Sequence, residues 1–247
     1  MAPDQSGRPS FTVTHEQTTS ERLVAGFSSF GLAGLTAVDF LVDQLDLEQT
    51  GHVSTEALPA ITPFENGTPR HHTRLFSRDD LDMTVLVNEL FVPLPATDPF
   101  AEAILDWTDA SAVEEVTVLS GVPVPHGPEE HAVFDVATED YQDQQLADSD
   151  IPAMGNGFLD GVNASLVSRG MESSLRVGVF ATPVHPRVPD VEAALRLIEA
   201  FERLYGIDVE TDSLEQFARE VEAYYRDLES RLQTMNERET PQDHMYM

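Results

Sequence analysis

Apolar strand-like runs alternate with segments of helical periodicity along most of this chain, and that alternation is the strongest constraint on its fold. "ERLVAGF", "EEVTVLSGV" and "SLRVGVFATPV" are nearly continuous apolar runs, a pattern typical of parallel strands that are buried on both faces. The segments between them place apolar residues three and four apart, as amphipathic helices do. Alternation from residue 21 to 205 predicts an α/β fold in which a mostly parallel sheet carries helices on both faces.

Several predicted helices carry their own start and stop signals. In "ATDPFAEAILDWTDA", Asp98 is expected to cap the helix, with Pro99 in its first turn. In "PDVEAALRLIEAFERLYG", Pro189 lies at the start and Gly206 ends the helix. A last helix is predicted to begin near Asp212. Its apolar seam is compatible either with packing on the body or with a short coiled coil between subunits.

These elements divide the chain into four predicted parts. The sequence contains neither an internal repeat nor a linker that would split its body. We therefore expect a flexible N-terminus over residues 1–20, one α/β domain over 21–206, a C-terminal helix over 207–236 and a flexible tail over 237–247.

The charge of the chain limits its partners. Asp and Glu number 44 against 14 basic residues, all of them Arg, for a formal net charge of -30. Such a charge destabilises a compact chain in dilute buffer, whereas molar salt screens it. The composition therefore indicates a protein adapted to concentrated salt, although an acidic protein with a basic partner remains the alternative. Nucleic acid is not an expected partner, because its binding needs clustered basic residues.

Other classes of protein are disfavoured by what the sequence lacks. There is no Cys, which excludes disulfides and thiolate metal sites. No apolar run approaches the 18 residues that a transmembrane helix requires, and the first residues lack the pattern of a signal peptide. We expect a cytoplasmic protein without a membrane association.

The stretch "GFSSFGLAG" invites a nucleotide-binding interpretation, but its spacing does not support one. Gly26, Gly31 and Gly34 are five and three residues apart, unlike a dinucleotide fingerprint, and the chain has no Lys for a phosphate loop. A tight strand-to-helix turn that needs small residues is the favoured interpretation.

Histidines offer little support for catalysis or metal binding. His71 and His72 are neighbours, so on a regular strand they would point to opposite faces and could not chelate one ion together. His185 lies near Asp190, and a loop histidine that fixes the turn before a helix is favoured over a catalytic dyad. We predict no catalytic residue, no metal site and no cofactor.

Two stretches together resemble the proteasome assembly chaperone family. "LVAGFSSFGLAGLTAVDFLVDQL" is similar to its opening strand-glycine-helix motif, and the segment from "GFLDGVNASLVSRGM" through "VGVFATPVHPRVPDVEAALRLIEAFERLYG" to "DLESRL" is similar to its second signature. The resemblance covers about residues 21 to 232. Ser28 and Ser29 stand where the family is often richer in glycine. The motif positions, to which the resemblance assigns a structural role, are Gly26, Gly31, Gly34, Gly157, Gly161, His185, Pro189 and Asp190.

The resemblance implies a phosphorylase-like α/β fold without established catalysis, followed by a C-terminal helical extension. It also implies an ATP-independent chaperone or activator that self-associates and binds the α-subunits of the proteasome core particle. The sequence ends in Met245-Tyr246-Met247, and proteasome activators commonly end in a hydrophobic residue, a tyrosine and any residue. For a chain of this composition, chance gives such an ending in about 0.8% of cases.

The sequence leaves two alternatives open. The first is a phosphorylase-like enzyme acting on a nucleoside or a related small molecule, for which Arg70, Arg74 and Arg187 are the candidate phosphate ligands. The second is a binding scaffold with other partners. An enclosed pocket in which arginine and histidine converge would favour the enzyme.

Overall fold

A computed structural model of the chain describes residues 10–16, 20–55, 58, 61–78, 80–125, 127, 131–185, 188–221 and 223. The strands are β1 (Phe11–His15), β2 (Arg22–Phe27), β3 (Glu48–Thr55), β4 (Phe64–Glu65), β5 (Thr68–Pro69), β6 (Thr73–Ser77), β7 (Thr84–Asn88), β8 (Glu115–Val122), β9 (Phe134–Ala137) and β10 (Arg176–Pro183). The helices of the body are α1 (Ala33–Gln44), α2 (Leu94–Ala110), α3 (Glu139–Gln145), α4 (Gly161–Met171) and α5 (Val191–Tyr205). The chain divides into two compact units at residues 209 and 210.

Eight strands form one sheet in the order β1-β3-β6-β7-β2-β8-β10-β9. Its centre, β7-β2-β8-β10, is parallel throughout, whereas β6, β3 and β1 at one side and β9 at the other pair antiparallel to their neighbours. Strands β4 and β5 make a separate hairpin between β3 and β6. The predicted fold class, a mostly parallel α/β sheet, is confirmed.

Helices cover both faces of the sheet, and the central strands are therefore buried on both sides. Leu23 and Ala25 of β2 join a core that includes Phe100 and Ile104 of α2 and Leu166 of α4. On the opposite face, α1 and α5 pack against each other and against β8. Successive side chains of one strand therefore pack into two different hydrophobic cores, one on each face of the sheet. The strongly amphipathic α5 begins after Asp190 and ends at Gly206, whose φ of 64° is left-handed, as its sequence predicts.

The predicted start of α2 is wrong by five residues, since the predicted cap is Asp98 and the observed cap is Pro93. The helix begins at Leu94 with Pro95 in its first turn, and Pro99 lies inside it. Asp98 does not cap the helix but accepts a hydrogen bond from Ser165 Oγ of α4 at 2.9 Å. The segment "FVPLPATDPF" offers three prolines that could stand near a helix start, and the second, not the third, has that position.

Strands at one side of the sheet were not recognised in the sequence. The sequence predicts a flexible N-terminus over residues 1–20, but Phe11–His15 pair with Gly51–Thr55 of β3 as an antiparallel ladder. Both strands are rich in Thr and other polar residues, and β1 lies at the edge of the sheet with its side chains only partly buried or exposed. Such strands lack the apolar run that marks the centre.

The second unit is described as far as residue 223. Residues 212–221 are helical, which is the position predicted for the last helix. The predicted continuation of this helix to residue 236 lies outside the described residues, so the role of its apolar seam remains a prediction. None of the helices in the described part of the chain combines the length and apolarity that a bilayer crossing requires.

Candidate functional site

The glycine turn between β2 and α1 is packed directly against the neighbouring strand. A Cβ added to Gly34 would lie 1.9 Å from the carbonyl oxygen of Leu119 in β8, and one added to Gly26 would lie 2.3 Å from the carbonyl oxygen of Gly34. Gly31 has a φ of +66°, and its missing side chain makes room for Val184. These contacts leave no space at Gly26 or Gly34 for a ligand to approach the backbone.

The loop after β10 is tied to this turn by Asp190. The backbone N–H of Asp190 donates to the Gly31 carbonyl oxygen at 2.8 Å. Its carboxylate accepts hydrogen bonds from the backbone N–H of Ala193, which caps α5, and from the backbone N–H of His185, each at 2.9 Å. The ring Nδ1 of His185 lies 2.9 Å from the same carboxylate oxygen that accepts from its backbone. Asp190 thus holds the turn, the loop and the start of α5 together.

Hydrogen bonding sets the ionisation of Asp190. Burial alone would raise the pKa of its carboxyl group, but the donors from His185 and Ala193 stabilise the carboxylate and lower the pKa below its usual value of 3.8. A lowered folded-state pKa stabilises the fold above the unfolded-state pKa, and that contribution disappears as the pH falls through the folded-state value.

Replacing Asp190 with alanine should therefore destabilise the body by about 2 kcal/mol at neutral pH, since a helix cap and two further hydrogen bonds are lost. Asp190→Asn is the matched control, because it keeps one oxygen for the cap but places an amide near the His185 donors. Its expected loss is about half as large. Urea unfolding measures both variants at pH 7 and at a series of pH values extending well below 3.8, because the contribution persists until the pH reaches the lowered folded-state pKa of Asp190. A difference from wild type that does not shrink at low pH would contradict the role of the carboxylate.

The remaining family-motif positions are not brought to the turn by any contact that the structure records. Gly157 is exposed, and a Cβ added there would meet no atom within 4 Å. Gly161 begins α4 with a φ of +58°, and Pro189 is exposed before Asp190. Met245, Tyr246 and Met247 lie outside the described residues, so their proposed role is a matter for experiment.

A group of exposed apolar side chains surrounds the carboxyl ends of the parallel strands. Phe30 follows β2, Phe91 and Leu94 follow β7, and Phe158 precedes α4; their exposed fractions are 56%, 69%, 76% and 104%. We call these four residues the carboxyl-edge cluster. Sequence reasoning missed it, because its residues come from three separate segments of the chain and only the strand order brings these segments to one edge.

Short contacts join the loops that carry the carboxyl-edge cluster. The backbone N–H of Ser28 donates to the Asn88 carbonyl oxygen at 2.9 Å, which holds the turn after β2 against the end of β7. Asn163 of α4 donates to Ser120 of β8 at 3.0 Å. The loops are therefore neighbours along the edge.

Arginines proposed as phosphate ligands already have carboxylate partners. Arg70 binds Glu89 through two hydrogen bonds of 2.6 and 2.8 Å. Arg74 lies 3.6 Å from Glu89 and 3.7 Å from Asp39 of α1. Arg187 lies outside the described residues. Since Arg70 and Arg74 are neutralised locally, a phosphate would have to displace their carboxylates.

His71 and His72 do not form a metal site with each other. The ring of His71 stacks on His52 with centroids 3.7 Å apart, while Nδ1 of His72 lies 2.8 Å from Thr73 Oγ1. Among the described residues no three His, Asp or Glu side chains are placed to hold a metal ion.

One described cleft lies away from the glycine turn. Its volume is about 240 Å³, and its lining includes His131, Asp150, Arg196 and Arg203. Arg196 donates to the Thr182 hydroxyl and to the Pro183 carbonyl oxygen at 3.0 and 2.9 Å, and Arg203 lies 3.8 Å from Asp150. The arginines are thus engaged by the protein, and the cleft gives no support for a phosphate site.

A buried polar network crosses the sheet near the opposite edge. Glu115 is fully buried and accepts a hydrogen bond from the Tyr205 hydroxyl at 3.0 Å, while Thr117 contacts the hydroxyls of Tyr141 and Tyr205 at 2.7 and 2.6 Å. Burial raises the pKa of Glu115, although the Tyr205 hydroxyl and the guanidinium groups of Arg22 and Arg176 oppose that shift. The network joins α3 and α5 to β8.

Comparison with known proteins identifies related chains. The sequence matches the model of the PAC2 family over residues 23–229. No curated protein matches it. The fold is similar to PbaA of Pyrococcus furiosus, an archaeal homologue of proteasome-assembly chaperone, with a TM-score of 0.80 and 18% identity over 94% of this chain and 95% of that one.

Two further structures share the fold. PbaB of Pyrococcus furiosus, an archaeal proteasome activator, has a TM-score of 0.77 and 17% identity over 89% of this chain and 99% of PbaB. A protein of unknown function from Thermoplasma acidophilum has a TM-score of 0.73 and 22% identity over 92% of both chains. At these identities the structural likeness concerns the fold.

Proposed function

The chain belongs to the PAC2 family of proteasome assembly chaperones, and from that premise we propose that it is an ATP-independent, proteasome-binding chaperone or activator. The observation that carries the proposal is the family match, which spans residues 23–229 and so includes the whole sheet apart from β1 and the first residue of β2. The absence of Lys from the sequence agrees with independence from ATP, because a phosphate-binding loop depends on that residue. We place the protein in the cytoplasm, where a proteasome partner would be found.

The proposed contact is made by the last three residues. Met245 would fill an apolar gap, the Tyr246 ring would supply a rigid apolar body with a hydroxyl, and the terminal carboxylate of Met247 would pair with a basic group between α-subunits of the core particle. Residues 236–242 precede this ending, and a flexible tether of that length has a root-mean-square reach of roughly 14 Å. Several tails on one homo-oligomer would raise a weak single-site affinity through effective concentration.

Deleting Met245–Met247 is expected to weaken binding to isolated proteasome core particle by at least about 100-fold, since it removes a charge-assisted contact and an aromatic anchor. Biolayer interferometry with immobilised core particle measures the loss. The matched control replaces Gln242 and Asp243 with alanine, which alters the tether but keeps the ending. Tyr246→Phe separates the hydroxyl from the ring and should cost less than the deletion.

Binding of the truncated chain that equals that of wild type would reject the role of the tail. Peptide hydrolysis by the core particle, measured with the same variants, then distinguishes gate opening from a role confined to assembly. An activator should increase hydrolysis only when its tail is intact.

A further inference from the structure

Glycine follows two of the five asparagines in this chain. The pairs are Asn66-Gly67 and Asn156-Gly157, and the other three asparagines precede Glu or Ala. An asparagine before glycine is the most prone to attack on its side-chain amide by the next backbone nitrogen, because glycine has no Cβ to hinder the approach. Both pairs are exposed, so exposure alone does not distinguish them.

The backbone of Asn66 is held by a hairpin. Glu65 pairs with Thr68, which leaves Asn66 and Gly67 as the two-residue turn between β4 and β5. Their φ angles of 49° and 81° are both left-handed, as a type I′ turn requires. A left-handed residue turns the next backbone nitrogen away from its own side chain. The hairpin must therefore open before the Gly67 nitrogen can reach the Asn66 amide.

The loop that carries Asn156 is tied to the body only at its two ends. On one side, the N–H of Met154 donates to the Asp135 carbonyl oxygen at 2.8 Å. On the other side, Leu159 packs against the core. In the described part of the chain, residues 155–158 between these ends take part in no hydrogen bond.

Nothing in the structure crowds the Asn156-Gly157 pair. Residues 155–158 are all exposed, and a Cβ added to Gly155 or Gly157 would meet no atom within 4 Å. Asn156 also lacks the left-handed φ that Asn66 has. The Gly157 nitrogen can therefore approach the Asn156 side chain through backbone rotations that no other contact opposes.

We propose that Asn156 is a site of spontaneous covalent modification, converted to isoaspartate and aspartate through a succinimide formed with Gly157. The Gly157 nitrogen gives its proton to solvent base and attacks the Asn156 side-chain carbon, so that a C–N bond forms and ammonia leaves. Water then opens the ring. Addition at the main-chain carbonyl yields isoaspartate, and addition at the side-chain carbonyl yields aspartate. The sequence of steps consumes water and requires no oxidant, metal or enzyme.

The modification changes both charge and backbone length beside the carboxyl-edge cluster. Either product replaces a neutral amide with a carboxylate two residues before Phe158, whose side chain is fully exposed. Isoaspartate also adds a methylene group to the backbone ahead of α4. The inference does not depend on the proposed function, because the tail takes no part in the reaction.

Purified full-length protein kept at pH 8 and 37 °C in 2 M KCl should convert Asn156 at least about 10-fold faster than Asn66, because Asn66 reacts only when its hairpin opens. Peptide mapping after pepsin digestion, whose acidic pH stops the reaction, measures both positions in one sample. Gly157→Ala is the matched variant, and its added Cβ should slow conversion of Asn156 by at least about 10-fold while the rate at Asn66 stays the same. In guanidinium chloride both asparagines of the wild type should react at similar rates, because the fold no longer distinguishes them.

Three results would overturn the inference. The first is an Asn156 that persists in the folded protein but reacts in guanidinium chloride, which would mean that the fold protects the loop. The second is conversion of Asn66 as fast as that of Asn156 in the folded protein. The third is aspartate at position 156 without isoaspartate, because a succinimide yields both products.

Discussion

Gly34→Ala should destabilise the body by more than about 3 kcal/mol, a large part of the 5–15 kcal/mol that holds a typical domain folded. The added methyl group would lie 1.9 Å from the Leu119 carbonyl oxygen and 2.8 Å from its carbon. Both are backbone atoms at the centre of the sheet, so no side chain can rotate away to make room. Either α1 or β8 must shift, and each is packed against α5.

Helix propensity acts against the expected destabilisation, so a measured loss of stability is easier to interpret. Gly34 is the second residue of α1, where alanine would ordinarily be more favourable than glycine by up to about 1 kcal/mol. A net loss in the free energy of unfolding must therefore exceed the gain from helix propensity. Such a loss can be attributed to the contact of the added methyl group with β8. Gly26→Ala should act similarly, since its Cβ would lie 2.3 Å from the Gly34 carbonyl oxygen and 2.4 Å from Val38 Cγ2.

Gly157→Ala is the matched control for Gly34→Ala. It changes another of the family-motif glycines, from the second signature, but one with no atom within 4 Å of the added Cβ, and it should alter stability by less than about 0.5 kcal/mol. Urea unfolding followed by circular dichroism compares the three variants with wild type, with the slope checked for two-state behaviour. A Gly34→Ala protein as stable as wild type would show that the turn can adjust, and the structural account of the glycine motif would then be wrong.

The parts of the fold that could be predicted from sequence are those determined by local patterns. Central strands such as β8 are rich in apolar residues and buried along nearly their whole length, and α5 has a regular apolar stripe, an Asp190 cap and a Gly206 stop. Each signal lies within about 20 residues of sequence, where periodicity and capping operate. The polar strands β1 and β3 lack that signal, because only the pairing of Phe11–His15 with a distant segment makes them strands.

Features of the candidate site were accessible from sequence to different degrees. The link between His185 and Asp190 spans only five residues, so the local sequence indicates it. The hydrogen bond from Tyr205 to Glu115 spans 90 residues, and neither local sequence indicates it, because the strand order brings the two residues together. The carboxyl-edge cluster is similar: Phe30, Phe91 and Phe158 appear as isolated residues in three loops until the topology collects them.

The second large effect concerns salt. We expect the midpoint of thermal unfolding to rise by more than about 10 °C between 0.1 and 2 M KCl, because a domain of this size gains about 2–4 °C for each kcal/mol and several kcal/mol of self-repulsion are screened. The repulsion is greater in the folded state, where a net charge of -30 is confined to a smaller volume than in the unfolded chain. Arg-containing ion pairs such as that between Arg70 and Glu89 will weaken with salt, but they neutralise only a small part of the excess acid.

Controls can separate screening from the general effect of a concentrated solute and from the alternative of a basic partner. Glucose at the same osmolarity as KCl should stabilise much less, because it is excluded from the surface without screening charge. The triple variant Asp43→Asn, Asp46→Asn, Glu48→Gln removes three exposed acids, and its midpoint should be higher than that of wild type at 0.1 M KCl and should rise less with salt. A midpoint that stays constant from 0.1 to 2 M, together with strong stabilisation by poly-arginine at low salt, would mean that the acidic surface serves a basic partner. If instead the midpoint rises and poly-arginine adds nothing at 2 M, the acidic surface serves stability in concentrated salt.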